Sequence, residues 1–262
     1  MNPESQVVVI TGAAGGIGGA LARRYRREGA RLALLDIDPD GLGDIEQSLG
    51  GADDVMVVKC DVTSEDACED AAAEVIARWD GIDVLINNAG VSHMGAFADM
   101  DLDVFRRVVD INLFGSVYCT AAFLPSLRAR QGRIAVMSSV AGFAPLSLRS
   151  AYATSKHALH GFFDTLRTEL VDDGVSVTVV CPSFVKTDIE AHMLGDHSQI
   201  GSRQTTGTEA DPDDVADAIH VAVAARERMS FPTPDAKMIF DVAMSDPAGY
   251  DEFMRAMVAG DT

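Results

Sequence analysis

Ser139, Tyr152 and Lys156 are residues whose types and spacing could do chemistry together, since they bring a hydroxyl, a phenol and an ammonium. Such a trio can hold a reacting oxygen by hydrogen bond and move a proton to or from it. Tyr152 and Lys156 stand four apart where Leu159, Phe162, Phe163, Leu166 and Leu170 recur at helical spacing, so both fall on one helical face. Free tyrosine titrates near ~10, whereas a proton-transfer catalyst at neutral pH wants about 7, a gap of about 4 kcal/mol that the surroundings must supply. One ammonium at about 4 Å supplies roughly that much at an effective dielectric of about 20. Lys156 is thus of the right type and spacing to make Tyr152 a general acid/base, with Ser139 holding the reacting oxygen. A Tyr-x-x-x-Lys pair also arises by chance, so the elements that position it carry the argument.

Those elements alternate. Residues 132–139 start with a breaker and continue apolar, as a buried strand of a parallel sheet does, which puts Ser139 at the strand's exit, where ligands of such sheets bind. Residues 6–11 form a β-rich run that ends in the turn Gly12, Gly15, Gly16, Ile17 and Gly18, after which Ala20, Leu21 and Tyr25 open a helical pattern. Glycines in such a turn let backbone N–H groups approach a pyrophosphate at the positive end of a helix. The next strand, 31–36, ends in Asp36, eighteen residues after Gly18. A carboxylate there accepts both ribose hydroxyls of NAD and repels the 2′-phosphate of NADP; its alternative use is to cap the following helix.

A third strand, 55–60, leads to Asp61 and Val62, and an amphipathic helix runs from Ser64 toward Trp79. A fourth, 81–86, closes in Asn87-Asn88-Ala89-Gly90, residues suited to tight backbone near a ligand. The helical pattern over 103–127 is interrupted by Asn112, a poor helix former that is either functional or a satisfied buried amide. A strand over 175–181 is halted by Pro182, and 183–208 has the profile of a lid or binding loop. Asp211-Pro212 starts a helix, 229–232 is a short strand at best, and the tail from about 233 is rich in Met and Phe.

The 262 residues suit a single α/β domain, 1–262. Lys+Arg of 21 against Asp+Glu of 40 gives a formal net charge of −19, which disfavours nucleic acid and anionic lipid and suits a small-molecule substrate. Cys60, Cys68, Cys119 and Cys181 form no C-x-x-C pair and no metal-ligand spacing, so reduced thiols, no metal and a cytoplasmic location are expected. No apolar run approaches the ~20 residues of a membrane span, and no membrane partner is expected.

Taken together, Thr11-Gly12-x-x-x-Gly16-x-Gly18, Asn87-Asn88-Ala89-Gly90, Asn112, Ser139, Tyr152-x-x-x-Lys156 and Pro182-x-x-Val185-x-Thr187 resemble the single-domain short-chain dehydrogenase/reductase family in order and spacing. The resemblance implies a doubly wound Rossmann-type parallel sheet of about seven strands in three layers. It implies hydride transfer at a nicotinamide, with Tyr152 as acid/base and Lys156 binding the nicotinamide ribose and depressing the tyrosine pKa. Ser139 would orient the carbonyl or alcohol, and Asn112 would support a proton-relay water. The glycine turn would take the pyrophosphate, Asp61 and Val62 would meet the adenine, and Asn88, Ala89 and Gly90 would line the ribose side. Pro182 would floor the nicotinamide, and Val185 and Thr187 would hold its carboxamide.

NADP-using relatives often place a base at the positions of Gly15 and Ile37, so with Asp36 the cofactor expected is NAD. The long helices of the Asp103 and Tyr152 regions carry apolar stripes, and the resemblance implies that such helices pair between subunits, so a homo-oligomer, dimer or tetramer, is expected. Ser183 stands where the family usually has glycine, and the Met- and Phe-rich ending replaces the usual glycine-rich one. His93, Met94, Phe143, Leu146, Phe184, His192, Met193 and Leu194 fall in segments expected to border the site, favouring a fairly hydrophobic secondary alcohol or ketone. Two other classes compete: a non-catalytic dinucleotide-binding regulator, which would have lost Tyr152, Lys156 or Ser139, and a nucleotide-sugar epimerase or dehydratase, which needs a larger C-terminal region.

Overall fold

The computed structural model describes residues 6–50, 53–187, 189, 193–195 and 209–259. The β-rich runs become β1 (Val7–Thr11), β2 (Arg31–Asp36), β3 (Val55–Lys59), β4 (Val84–Asn87), β5 (Arg133–Met137), β6 (Ser176–Val180) and β7 (Met229–Ser230). They pair, all parallel, in one seven-stranded sheet ordered β3-β2-β1-β4-β5-β6-β7. The helices are α1 (Gly16–Arg27), α2 (Pro39–Ser48), α3 (Glu65–Trp79), α4 (Leu102–Val109), α5 (Gly115–Ala129), α6 (Ser150–Glu169), α7 (Pro212–Ala224), α8 (Ala236–Ser245) and α9 (Pro247–Ala259). This is the doubly wound, three-layered Rossmann-type architecture.

Strand side chains alternate between two cores. Val7 and Val9 join α3, α5 and α6 on one face, while Val8 and Ile10 join α1, α2 and α7 on the other. Several helices start at side-chain caps: Ser64 accepts from Ala67 N–H, Asp38 from Asp40 N–H and Asp211 from Asp213 N–H. Asp38, not Asp36, therefore caps α2.

Three features differ from the sequence reading. α4 and α5 run on through a π-helical stretch, Asp110–Phe114, so Asn112 re-phases the helix instead of ending it. The whole span Leu102–Ala129 is, by length and composition, long and apolar enough to cross a membrane. Cys119, Phe123 and Leu127 on it are buried in the core shared with β4, β5 and α3. The tail, for which no secondary structure was expected, forms α8 and α9; Ala243, Tyr250 and Met254 from it bury with Ala144.

Candidate active site

The chain order reverses between β1 and β4, and the loops at the carboxyl ends of β1 to β6 carry Gly12, Asp36, Asp61, Asn88, Ser139 and Pro182 to one edge. Thr11 Oγ1 accepts from the N–H groups of Asn88 and Ala89, both at 3.0 Å, and Asn88 Nδ2 donates to the carbonyls of Thr11 and Gly12 at 3.0 and 2.9 Å. The β4 loop is thereby sewn to the glycine turn. Gly12 has φ of +64°, and a Cβ on Gly18 would lie 2.0 Å from Gly12 O, so neither position accepts a side chain. A Cβ on Gly15 would meet nothing within 4 Å, so the space over the turn is open. It belongs to a cleft of about 530 Å3 lined by Ala14, Gly15, Gly16, Arg23, Lys186 and Thr187 among others.

At the far end of that turn Asp36 Oδ2 accepts from Ala14 N–H at 2.9 Å and Oδ1 accepts from Asp38 N–H at 3.1 Å. Arg23, which lines that cleft, pairs with Asp213 at 2.8 Å, and Arg24 pairs with Glu28 and Asp217. Ile37 is exposed at the rim. Partial burial pushes the Asp61 carboxyl up, but the hydroxyl and N–H of Thr63 outweigh it and hold it below the usual range. Val62 is buried against Gly115.

At the other end, Ser139, Tyr152 and Lys156 do come together. Burial raises the Tyr152 phenol, while the neighbouring Ser139 hydroxyl and the Arg149 cation act the other way. Lys156 Nζ lies 5.5 Å from the Tyr152 ring centroid and donates to Met137 O at 2.6 Å; burial lowers its pKa to about 8. The expected depression of the phenol by Lys156 is thus not what this geometry gives. The ammonium faces the ring and a strand carbonyl, and Arg149 is the nearby cation that favours the phenolate.

Asn112 is a saturated buried amide: Oδ1 accepts from Val91 N–H at 2.8 Å, and Nδ2 donates to Val91 O at 3.0 Å and Ser155 Oγ at 2.9 Å. Ser155 Oγ in turn donates to Tyr152 O at 2.7 Å, so Asn112 braces the β4 loop against the start of α6. Gly90 closes the same knot, since a Cβ there would be 3.1 Å from Asn112 Oδ1 and 3.6 Å from Lys156 Nζ. Pro182 O accepts from Val140 N–H, which ties the β6 loop to the turn after Ser139. Val185 bridges to Ala210, and the Thr187 methyl would lie 3.2 Å from a Cβ on Gly16.

On the substrate side, His93 bridges to Leu194, and Arg149 donates to Ser92 Oγ and reaches the sulfurs of Met193 and Met94 at 3.7 and 3.8 Å. Phe143 packs edge-on against Phe240 at 5.0 Å. His192 and most of the loop 183–208 lie outside the described residues. Sequence reasoning missed Arg149, Ser155 and Asp235. Arg149 was findable, being one helical turn before Tyr152; the other two act through folded contacts that no local spacing records.

Residues 6–197 match the family model for short chain dehydrogenase. The chain is 40% identical over 237 residues to Dehydrogenase/reductase SDR family member 7B of Danio rerio, covering 87% of this chain and 77% of that one. Among solved structures it is similar to a short chain dehydrogenase/reductase of Burkholderia phymatum in complex with NAD, at 25% identity and TM-score 0.86 over 94% and 95% of the two chains. It is also similar to an actinorhodin polyketide ketoreductase variant with NADPH, at 29% identity and TM-score 0.78 over 87% and 95%. The chain therefore belongs to the short-chain dehydrogenase/reductase family, a family of oxidoreductases. The open space over Gly15, the glycines that exclude a Cβ and the carboxylate beside the turn fit a nicotinamide dinucleotide of the kind both neighbours carry.

Proposed function

We propose that the protein is an NAD-dependent oxidoreductase that moves hydride between the nicotinamide and a fairly hydrophobic secondary alcohol or ketone, with Tyr152 as general acid/base. The observation that carries the reading is the Ser139 hydroxyl beside a half-buried Tyr152 phenol, with the buried Lys156 Nζ 5.5 Å from the centroid of its ring. When bound, the nicotinamide supplies or accepts the hydride. The chain's own residues do the rest: Ser139 orients the substrate oxygen, Tyr152 gives that oxygen a proton or takes one from it, and Lys156 and Asn112 hold the groups in register. The glycine turn takes the pyrophosphate, and Asp36 takes the adenosine ribose.

NAD is favoured over NADP because Asp36, with Asp38 and Asp40 following it, makes the ribose end acidic, while Arg23 is held by Asp213. A 2′-phosphate facing that carboxylate in a partly desolvated site loses several kcal/mol, a preference of about 100-fold or more for NAD. The apolar substrate class is supported by Met94 and Met193 beside Arg149, by Leu194 bridged to His93, and by Phe143 and Leu146 packed with the α8–α9 cluster. The test is a panel of secondary alcohols and ketones assayed by NADH and NADPH absorbance. Turnover with NAD(H) and apolar ketones is expected; equal efficiency with both cofactors would remove the NAD assignment.

A further inference from the structure

Ser183 follows Pro182 directly, at the position where the sequence departs from the family's usual glycine. Its backbone has no need of glycine, since it is not among the residues with positive φ. The side chain, in turn, is used. Ser183 Oγ donates to Asp235 Oδ2 at 2.9 Å, and Ser183 N–H donates to Thr233 Oγ1 at 3.0 Å. Thr233 is buried, and Asp235 is the half-buried residue from which α8 starts.

α8 then lies on the turn that follows Ser139. Phe240 meets Phe143 edge-on at 5.0 Å, with Phe231 5.2 Å from Phe240, and Ala243, Tyr250 and Met254 enclose Ala144. Apolar packing of this kind is non-directional and leaves the helix pair free to slide, whereas two hydrogen bonds fix its position relative to the Pro182 loop.

We propose that Asp235 is a positioning residue for substrate selection. Through Ser183 it clips the α8–α9 pair to the loop that carries Pro182, Val185 and Thr187, so that the pair forms a wall of the substrate site whose placement follows filling of the nicotinamide end. The proposal rests on the function proposed above and adds to it that the wall discriminates ketones by the bulk of their apolar group. A cyclic ketone reaches the Phe143 and Phe240 side; a short linear one does not.

Asp235→Ala breaks the clip, Asp235→Asn keeps an acceptor oxygen, and Ser183→Gly removes the donor from the other side. The ratio of KM for a bulky cyclic ketone to KM for a short linear one is expected to rise about tenfold in Asp235→Ala and Ser183→Gly, the loss of about one hydrogen bond, and to return in Asp235→Asn. A merely structural role lowers stability and moves both KM values together, and that result overturns the proposal. A second readout is independent of turnover: NADH slows amide exchange of α8 in the unmodified protein and does so less in Asp235→Ala. Equal protection in both proteins overturns the clip alone. Failure of NADH to bind the unmodified protein overturns the nicotinamide reading and the clip with it.

Discussion

Burial acts on Tyr152 and Lys156 in opposite senses, keeping the phenol protonated and easing the ammonium toward neutrality. A proton for a ketone oxygen is then at hand at neutral pH, whereas alcohol oxidation needs the phenolate. We predict that ketone reduction is level from about pH 6 to about pH 8 while alcohol oxidation climbs over the same range, read as initial rates at saturating cofactor. Tyr152→Phe removes only the hydroxyl, so both rates should drop by about 10²-fold or more with NADH affinity retained; near-normal turnover would sink the assignment. Lys156 also leaves a mark on stability. Its folded pKa of about 8 lies below the ordinary 10.5, so between those values the unfolded chain binds more protons and stability contributed by this group rises with pH. Below pH 8 the penalty is fully present. Denaturant midpoints taken between about pH 8 and about pH 9 should therefore rise in the unmodified protein, and less in Lys156→Met.

At the scale of elements, β1 to β6 were legible because each is a short apolar run bounded by Gly, Asp, Asn or Pro, and α3 and α7 because Ser64 and Asp211 announce their starts. α8 was not, since Asp235 makes no side-chain cap and its carboxylate is committed to Ser183. What Lys156 faces was equally illegible: its partner Met137 O comes from another element, and i, i+4 spacing to Tyr152 says only that the two share a side of a helix. For Asp36 the structure removes one of the two expected uses, since Asp38 caps α2 and the Asp36 carboxylate instead accepts from Ala14 N–H. Asp36→Ala combined with Ile37→Arg removes a carboxylate and adds a phosphate partner at an exposed rim, and should move preference toward NADP, measured as the ratio of kcat/KM for the two cofactors. An unchanged ratio would show that Asp36 does not face the ribose.

For the whole molecule, the thiols and the outer helix faces make separate predictions. Cys68, through its hydrogen bond with Cys119, and Cys181, through burial, are each pushed up to about 12, and all four cysteines are buried and free. A disulfide reagent at about pH 8 should label none of them in the folded protein and all of them after denaturation. Leu102 and Phe114 on the long helix are exposed, and we propose that such helices pair between copies; light scattering should give a multiple of the monomer mass, and a monomer at micromolar concentration would refute it. The π turn at Asp110–Phe114 fixes how the two halves of the long helix face the core. It holds one residue more than an α turn, so α4 and α5 are out of phase by about 100°. Deleting that one residue would restore a smoother helix, yet with Cys119, Phe123 and Leu127 anchored in the core it would swing the buried Val108 outward and turn α4 away from its present seat. One residue here thus sets the angular offset between the two halves of the helix, and with it which side chains of α4 face the core.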